Sequence, residues 1–440
     1  MNEYLKNSVV YFSFLMVLLT GIFTRSFLGL SILGFRLGEI IVGLSFLISI
    51  YFLIYGKPKK YFDFDNKNFM YVHKLIIFYS LTRILLNFEN ISLYNFKSSS
   101  YVWTISLIYV GLFISTISKN DIFIKSALVL FPVAVYIFQT GNFPNLIISF
   151  FQNYSDKFQF MKASDMVIVV IISSIFVDQY AANKKLAIYW SNFLISIFLP
   201  LVAANSRAAV GGLVLFFVLN LVFQINELKQ FRFEFIILLF IFIVSFSYSS
   251  LRVSGVTFDT PDKENSNLVT DVPEAVKKIA SEKSTQDVFL SLYIQDGRMY
   301  STDPTTNWRL DIWQDVYDDL DDKKRLLRGY GYGEIIPVMT DPTAPGRLGR
   351  DGLNEHVHNY FVTTFARGGM LNLIMFLYLH LQLIKILLLS DLGKKTLTMV
   401  VPCLFMSSFD VTMDGVQFPL LYYFFIGYFI NKKTLKSDLG

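Results

Sequence analysis

The residues best suited to chemistry in this chain are two histidines where a polar stretch meets an apolar one. His356 and His358 are two of only four histidines in 440 residues. They stand in the run Asn354-Glu-His-Val-His-Asn-Tyr-Phe, directly before a strongly apolar segment. Because the unperturbed pKa of histidine is about 6.5, a side chain in this place can exchange protons near neutral pH. We therefore predict that His358 is a general base for a hydroxyl group and that His356 supports it.

Two arginines are candidates for binding an anion. Arg207 follows Ser206 and opens an apolar segment, although external loops are poor in Arg and a helix N-terminus already carries positive partial charge. A cation there is useful if an anion binds beside it, because the helix N-terminus also offers free N–H groups. Gly211 and Gly212 would let a neighbouring segment approach closely. Arg309 lies in a polar region, where its planar fork suits a diphosphate, although a solvated arginine is the simpler interpretation.

The composition predicts an all-α integral membrane protein. Hydrophobic residues make up 53% of the chain and charged residues 17%, whereas about 25% of an ordinary soluble domain is charged. A span needs about 20 mainly apolar residues. About twelve candidates occur, at 8–23, 39–56, 69–87, 101–118, 122–139, 165–182, 186–204, 207–225, 232–250, 370–389, 395–409 and 414–431. The basic residues lie in short clusters rather than on one face, which argues against nucleic-acid binding.

The distribution of Lys and Arg predicts that both termini are cytoplasmic. With that orientation, the basic connections expected inside are 57–60, 119–121, 184–185, 227–232, 394–395 and 432–433. Three regions follow: residues 1–250 with about nine spans, residues 251–357 as one large external loop, and residues 358–440 with a short interfacial helix and about three spans. The loop holds more than half of the chain's 34 acidic residues.

The second part of this loop is patterned as an amphipathic helix. Apolar residues recur at helical spacing after Trp308, and Thr305 or Thr306 could cap the helix. The apolar face is predicted to comprise Leu310, Trp313, Tyr317 and Leu320. We expect this helix to lie on the membrane or to pack against the spans.

Two glycine patterns flank the histidines. The run Leu327-Arg-Gly-Tyr-Gly-Tyr-Gly333 lacks the Gly-Lys-Ser/Thr ending of a nucleotide-binding P-loop, so a tight turn with tyrosines facing a sugar or the membrane is predicted. Gly368-Gly369 follow Arg367 and predict a short re-entrant or interfacial helix from Asn359, a break, and then a full span. His358 would then lie in a pocket at membrane depth.

In order and spacing, these residues resemble the O-antigen ligase and O-antigen polymerase superfamily. The strongest match is His358-Asn359 followed, after nine residues, by Gly369; where the family commonly has a further glycine, this chain has Asn372. The other matching pieces, in chain order, are Ser206-Arg207, Arg309 with Trp313, and the glycine-rich run. The resemblance extends over residues 190–390.

The resemblance implies a GT-C-type glycosyltransferase of the bacterial inner membrane with a periplasmic active site and no metal or cofactor. The donor would be a glycan on undecaprenyl diphosphate. The acceptor would be a sugar hydroxyl, on lipid A-core for a ligase or on another lipid-linked glycan for a polymerase, which could also work with a chain-length regulator. Arg207 and Arg309 would hold the diphosphate while His358 deprotonates the acceptor. The residues expected to orient or support this chemistry are His356, Asn359, Arg367, Gly369 and Trp313.

Other interpretations of the sequence remain open. Ligase and polymerase need the same donor and the same base, so the residues barely separate them. A transporter or lipid-linked glycan flippase would show related halves and charges near mid-membrane, and Arg83, within a predicted span, is the best residue in its favour. His356 and His358 could also bind a metal with Asp351 or Glu355, but nothing else completes such a site.

Overall fold

The structure is a computed structural model that describes most of the chain. The described residues are 3–55, 67–86, 91–118, 122–141, 143–158, 162–181, 183–230, 232–254, 291–344, 346–348, 354–390 and 393–430. Several features named above lie outside them: the basic connections at 57–60 and 119–121, the tail at 432–433, the side chains of 227–232, and Asp351.

Helices dominate the described residues. In chain order they are α1 (Glu3–Leu28), α2 (Leu37–Tyr55), α3 (Lys67–Leu85), α4 (Leu93–Ser98), α5 (Ser100–Trp103), α6 (Leu107–Ile117), α7 (Ile122–Thr140), α8 (Asn145–Tyr154), α9 (Ala163–Tyr180), α10 (Lys184–Asn205), α11 (Arg207–Gln230), α12 (Arg232–Val253), α13 (Pro304–Asp322), α14 (Tyr360–Leu389), α15 (Leu397–Ser407) and α16 (Gln417–Ile430). Short 3₁₀ turns are found at Thr104–Ser106, Pro337–Thr340 and Gly393–Thr396. Two antiparallel hairpins pair β1 (Ser31–Ile32) with β2 (Phe35–Arg36) and β3 (Leu292–Gln295) with β4 (Arg298–Ser301).

The chain packs into two units. The first comprises Met1–Gly38, Ile117–Lys283 and Leu392–Met406, and the second comprises Glu39–Thr116, Ser284–Asp391 and Ser407–Gly440. From Ser291 onward, the described residues of the predicted outer loop therefore fold in the same unit as the kinked helix α14.

Helix α9 forms the centre of the first unit. Nearly all of its side chains are buried, and it packs against α7 and α10. This is expected of a helix that is apolar on every side rather than along one stripe. At its end, the Asp178 carboxylate accepts a hydrogen bond from Lys395 Nζ at 2.6 Å and lies 3.5 Å from Lys184 Nζ. Two connections predicted to lie on the same side of the membrane are thus joined.

Helix α16 has the same role in the second unit. It is buried along almost its whole length, and its Gly427 faces α6, whose Gly111 faces α16. A Cβ on Gly427 would lie 2.1 Å from Ile108 O, and one on Gly111 would lie 2.0 Å from Phe424 O. The two glycines therefore allow backbone contact between the helices, as small residues do in membrane proteins.

The prediction of an all-α membrane protein is confirmed, whereas the predicted number of about twelve spans is not. In the described part of the chain, nine helices are long and apolar enough to cross a membrane. Three predicted spans are not among them. The apolar sequence of helix α3 is interrupted by the charged residues Lys74 and Arg83, although the helix itself is continuous. Helices α15 and α16 have only 11 and 14 residues. A run of apolar residues suits a short helix buried inside the protein as well as it suits a span.

The amphipathic helix α13 is present, with a different buried face and a different cap. Ile312, Val316 and Leu320, each four residues apart, are fully buried, while Tyr317 is 51% exposed. Of the predicted face, Leu320 is therefore correct and Trp313 packs against the same core, whereas Tyr317 is wrong. The predicted cap at Thr305 or Thr306 was also wrong, because Asp303 caps the helix through Thr306 N and Pro304 takes its first position.

Candidate active site

A break in helix α14 organises the second unit. Gly369 has φ 71° and ψ −172°, so the helix is interrupted where the glycine pair predicted it. The interruption frees carbonyl and N–H groups, and the glycine-rich run supplies their partners. Tyr330 N donates to Ala366 O at 2.8 Å, and Met370 N donates to Leu326 O at 2.8 Å. The glycine-rich run and the residue before it therefore provide hydrogen-bond partners for the backbone groups that the break leaves open.

Two glycines make this close packing possible. Gly329 has φ 67°, and a Cβ there would lie 2.5 Å from Ala366 O. A Cβ on Gly369 would lie 2.3 Å from Arg328 N. Both residues lie in the left-handed region that glycine tolerates best. The glycine-rich run therefore serves as a structural insert between the halves of α14.

The expected tyrosine-lined turn was a wrong interpretation of this run. Tyr330 and Tyr332 are 6% and 1% exposed, so neither faces a sugar or the membrane. Tyr330 donates a 2.6 Å hydrogen bond to Asp319 in α13, and the hydroxyls of Tyr332 and Tyr101 lie 3.2 Å apart. The tyrosines fasten the insert to helices on either side.

Arg367 fastens the insert from the side of α14. Its guanidinium is buried and donates to the carbonyl oxygens of Gly331 and Glu334. It also donates to Tyr94 Oη at 3.2 Å, and Tyr94 in turn donates to Glu355 Oε2 at 2.8 Å. Glu355 therefore faces Tyr94, and Arg367 links Tyr94 to the glycine-rich run.

His358 lies at the entrance to α14. The next residue, Asn359, caps the helix by accepting hydrogen bonds from Phe361 N and Val362 N. His358 itself has φ 55°, an uncommon conformation for a residue with a side chain, although histidine adopts it more often than most. Trp308 contacts the imidazole edge-on, with 5.2 Å between ring centroids. Within the described residues, Nδ1 of this imidazole is buried without a hydrogen-bond partner.

Its surroundings keep His358 neutral. Burial is the largest cause that lowers its pKa, to about 4, and the positive charge of Arg309 acts in the same direction. The carboxylates of Asp410 and Asp414 oppose them. The imidazole is therefore uncharged at pH 7 and can accept a proton. Arg309 and His358 therefore lie within electrostatic range of each other.

Asp410 and Asp414 are the site residues that the sequence analysis missed. They come from the turn between α15 and α16. Asp414 is 5% exposed, lies 3.5 Å from His356 Nδ1, and accepts a hydrogen bond from Thr363 at 3.3 Å. A signal for them was available, since the alternation of predicted spans places this connection on the same external side as the histidines.

Trp313 holds the backbone next to His358. Its indole Nε1 donates to Val357 O at 2.7 Å, and Val357 is fully buried in a core shared with α13. The hydrogen bond therefore fixes the peptide that precedes His358.

Replacing Trp313 by Phe keeps an aromatic side chain but removes the indole N–H, and with it the hydrogen bond to Val357 O. One hydrogen bond contributes about 1 kcal/mol, so we expect kcat for transfer to fall about fivefold to tenfold while KM changes little. The matched control is Trp190→Phe in the first unit, which removes the 3.1 Å bond from Trp190 Nε1 to Ser173 Oγ and should leave kcat within about twofold. Equal kcat losses in the two variants would contradict the assignment.

Arg207 lies in the first unit and opens α11. Ser206 Oγ accepts a hydrogen bond from Ala209 N at 3.3 Å and so helps to cap this helix. The close approach expected at the following glycines is confirmed, because a Cβ on Gly211 would lie 2.4 Å from Phe405 and one on Gly212 would lie 2.5 Å from Met406. Arg207 is therefore held at the start of a tightly packed helix.

Arg83 lies at the end of a helix rather than near its middle, where a transporter would need a charge. It lies in the last turn of α3, where Nη2 donates to Gly329 O at 3.3 Å. The charge that favoured a transporter is thus at a helix end, against the glycine-rich insert. Among the described residues, no three His, Cys, Asp or Glu side chains are grouped as metal ligands.

A comparison with known protein families finds a match for the segment that contains these residues. Residues 190–377 match the model of the O-antigen ligase family. This match supports the O-antigen ligase and polymerase superfamily for the segment that it covers. No curated protein matches the chain.

The family segment begins in α10 and ends within α14, so it includes Arg207, Arg309, the glycine-rich insert, His358 and the break at Gly369. The resemblance stated from the sequence is confirmed. The match, together with the apolar helices, supports a membrane enzyme of the glycosyl-transfer class in polysaccharide biosynthesis.

Proposed function

We propose that this protein is an O-antigen ligase-type glycosyltransferase in which His358 is the general base. The observation that carries the proposal is a neutral imidazole, held at the entrance to a broken helix beside the cation of Arg309. The donor is a glycan on undecaprenyl diphosphate, and the acceptor is a sugar hydroxyl on the periplasmic side. His356, Asn359 and Trp313 keep the imidazole in place.

The proposed reaction is a single displacement. His358 Nε2 takes the proton of the acceptor hydroxyl, and the oxygen attacks the anomeric carbon of the donor sugar. The bond from that carbon to the diphosphate oxygen breaks, and its electron pair leaves with undecaprenyl diphosphate. Arg309 stabilises the negative charge that develops on the leaving group, and Arg207 is assigned the same role from the sequence alone.

Donor binding also strengthens the base in this scheme. The charge of Arg309 lowers the pKa of His358 in the empty site. A bound diphosphate pairs with that charge, so the pKa of the imidazole rises toward neutrality. A base whose pKa lies closer to the working pH transfers protons more effectively. The site is therefore most competent when the donor is present.

The pH dependence of kcat/KM tests this electrostatic arrangement. This parameter reports the free enzyme, so the acid limb is expected near pH 4 rather than near 6.5. Arg309→Gln removes a cause that lowers the pKa, so the limb should move to higher pH, in addition to the loss of rate. Arg325→Gln removes an exposed arginine in the loop after α13 and should leave the limb in place. An acid limb near 6.5 in the unaltered protein would contradict the buried, neutral imidazole.

Acceptor choice separates ligase from polymerase. The purified full-length protein is supplied with a radiolabelled undecaprenyl-diphosphate glycan, either with lipid A-core or alone. Transfer to the core without chain lengthening is expected for the proposed ligase. Lengthening of the lipid-linked glycan alone would identify a polymerase, and movement of the glycan across the bilayer without bond formation would identify a transporter.

The contribution of Arg207 has its own readout in the same assay. If it binds the donor diphosphate together with Arg309, Arg207→Gln should raise KM for the donor and lower kcat about tenfold or more. Its double variant with Arg309→Gln should show a combined effect that differs from the product of the two single effects, because both residues act on one group. Independent effects would remove Arg207 from the site.

A further inference from the structure

An arginine pair lies at the break in α14, away from the proposed catalytic histidine. Arg83 comes from the end of α3, and the exposed Arg328 belongs to the glycine-rich insert. Both charges are within electrostatic range of Tyr79, whose hydroxyl donates to Gly368 O at 2.7 Å. The two guanidinium groups therefore flank the same short stretch of the broken helix.

These cations have unused hydrogen-bonding capacity. In the part of the chain that the structure describes, Arg83 makes one hydrogen bond, to Gly329 O, and its Nε is buried without a partner. A guanidinium has five N–H donors, so most of those on Arg83 remain for a ligand. Within the same described residues, neither Arg83 nor Arg328 forms an ion pair with a carboxylate. An anion with several oxygen atoms would satisfy both side chains.

An apolar surface leads away from the arginine pair. Helices α3 and α14 pack side by side. The outward face of α3 carries Tyr71, Leu75, Phe78 and Leu85, which recur at helical spacing and are exposed. On α14, exposed apolar residues begin directly after the break, at Met370, Leu371 and Ile374. Leu327 of the insert, 65% exposed, lies beside Leu371, whose N–H donates to its carbonyl.

The depth of this arrangement matches a lipid headgroup. The part of α14 after the break has about 20 residues and a length of about 30 Å, which is the thickness of the hydrocarbon core of a bilayer. The break therefore lies at one edge of the hydrocarbon, at the level of lipid phosphates. The apolar faces of α3 and α14 extend from that level into the region of lipid chains.

We propose that Arg83 and Arg328 bind the phosphate group of a lipid whose hydrocarbon chain lies along α3 and α14. The site is separate from the donor site. About nine residues of helix, or about 13 Å, separate the break from the entrance of α14 beside His358. A donor diphosphate has to lie next to the reacting carbon, so the phosphate at the break belongs to a second lipid molecule. Charge complementarity and the adjoining apolar faces together favour a phospholipid or polyprenyl phosphate over a soluble anion.

Lipid binding to the delipidated full-length protein in detergent tests the site. Native mass spectrometry compares dioleoyl phosphatidic acid with dioleoylglycerol, and undecaprenyl phosphate with undecaprenol. In each pair the phosphate-bearing lipid is expected to bind at least about tenfold more tightly. In the Arg83→Gln/Arg328→Gln variant both should bind as weakly as the two alcohols, while Arg325→Gln, an exposed arginine three residues before Arg328, should bind like the unaltered protein.

The two phosphate lipids distinguish the source of the ligand. A preference for undecaprenyl phosphate of more than about tenfold indicates that the second lipid is a polyprenyl phosphate, whereas similar binding of the two indicates a phospholipid of the bilayer. Should the double variant fail to fold, Arg328→Gln alone changes an exposed residue and is expected to weaken binding about threefold to tenfold. Arg83→Lys/Arg328→Lys should retain binding within about threefold, because both charges remain.

Two results would overturn the proposal: equal affinity for phosphate lipids and alcohols, or binding by the arginine variants that matches Arg325→Gln. The measurement contains no glycosyl transfer. Its failure therefore leaves the chemistry assigned to His358 untouched, and loss of that chemistry would leave the lipid site untouched.

Discussion

Replacing His358 by Asn should lower the rate of glycosyl transfer by about a thousandfold while the protein remains folded. General base catalysis contributes about 10²- to 10⁴-fold, and an amide cannot take up the acceptor's proton. Asparagine is the informative replacement because His358 has φ 55°, and asparagine tolerates this conformation better than most residues. The variant thus removes the base without adding backbone strain. Initial rates with the radiolabelled donor and equal amounts of purified protein measure the effect.

Two further variants separate chemistry from structure at this position. His358→Gly accepts the same backbone conformation and opens space, so added imidazole should restore part of its rate. His358→Ala should be as inactive as the Asn variant and less stable, because alanine is disfavoured at positive φ. Retention of more than about a tenth of the rate by His358→Asn would show that another group takes the proton.

Gly369→Ala should unfold or strongly destabilise the second unit. Alanine in the left-handed region costs about 1–2 kcal/mol. Its Cβ would also lie 2.3 Å from backbone atoms of Leu327 and Arg328, which cannot turn away as a side chain can. Forcing a close-packed contact apart costs about 1–3 kcal/mol more. We therefore expect a loss of about 2–5 kcal/mol in the free energy of unfolding.

A matched glycine separates the clash from the strain. Gly297 has φ 78° in the turn between β3 and β4, and a Cβ there meets nothing within 4 Å. Gly297→Ala should therefore show only the smaller loss from backbone strain. The two proteins are compared by thermal unfolding in detergent and by the yield of the monodisperse fraction. Similar unfolding temperatures for both variants would mean that the insert does not depend on this contact.

Gly329→Ala provides a second measurement of the same contact. Gly329 lies in the glycine-rich insert and faces Ala366 O and Gly369 N of α14 across the same interface. Because both glycines serve one interface, the losses in the double variant should add up to less than the sum of the single losses.

The sequence was informative where local chemistry acts alone. Asn359 before an apolar run predicts a helix start, and Gly368-Gly369 within that run predicts a break; both are present. The membrane class follows in the same way, because transfer of apolar side chains out of water depends on composition over short windows. His358 stood out because it is a rare titratable group at such a boundary.

Only the tertiary structure decided which groups meet at the site. Asp410 and Asp414 follow His358 by more than 50 positions, and their effect on its pKa depends on packing that no local pattern encodes. The buried face of α13 differs from the predicted face for a similar reason. The helix packs against Tyr330, Val357 and Phe365 rather than on a membrane surface.

The glycine-rich run shows most clearly where the two kinds of information divide. Its residues by themselves determine that the chain can turn with positive φ. They do not determine that the turn enters a broken helix, because that depends on carbonyl and N–H groups left open at Gly369 and on tyrosine side chains that are buried only after the helices pack. Backbone groups exposed by a break need partners from elsewhere in the chain, and the identity of those partners is fixed by the folded arrangement alone.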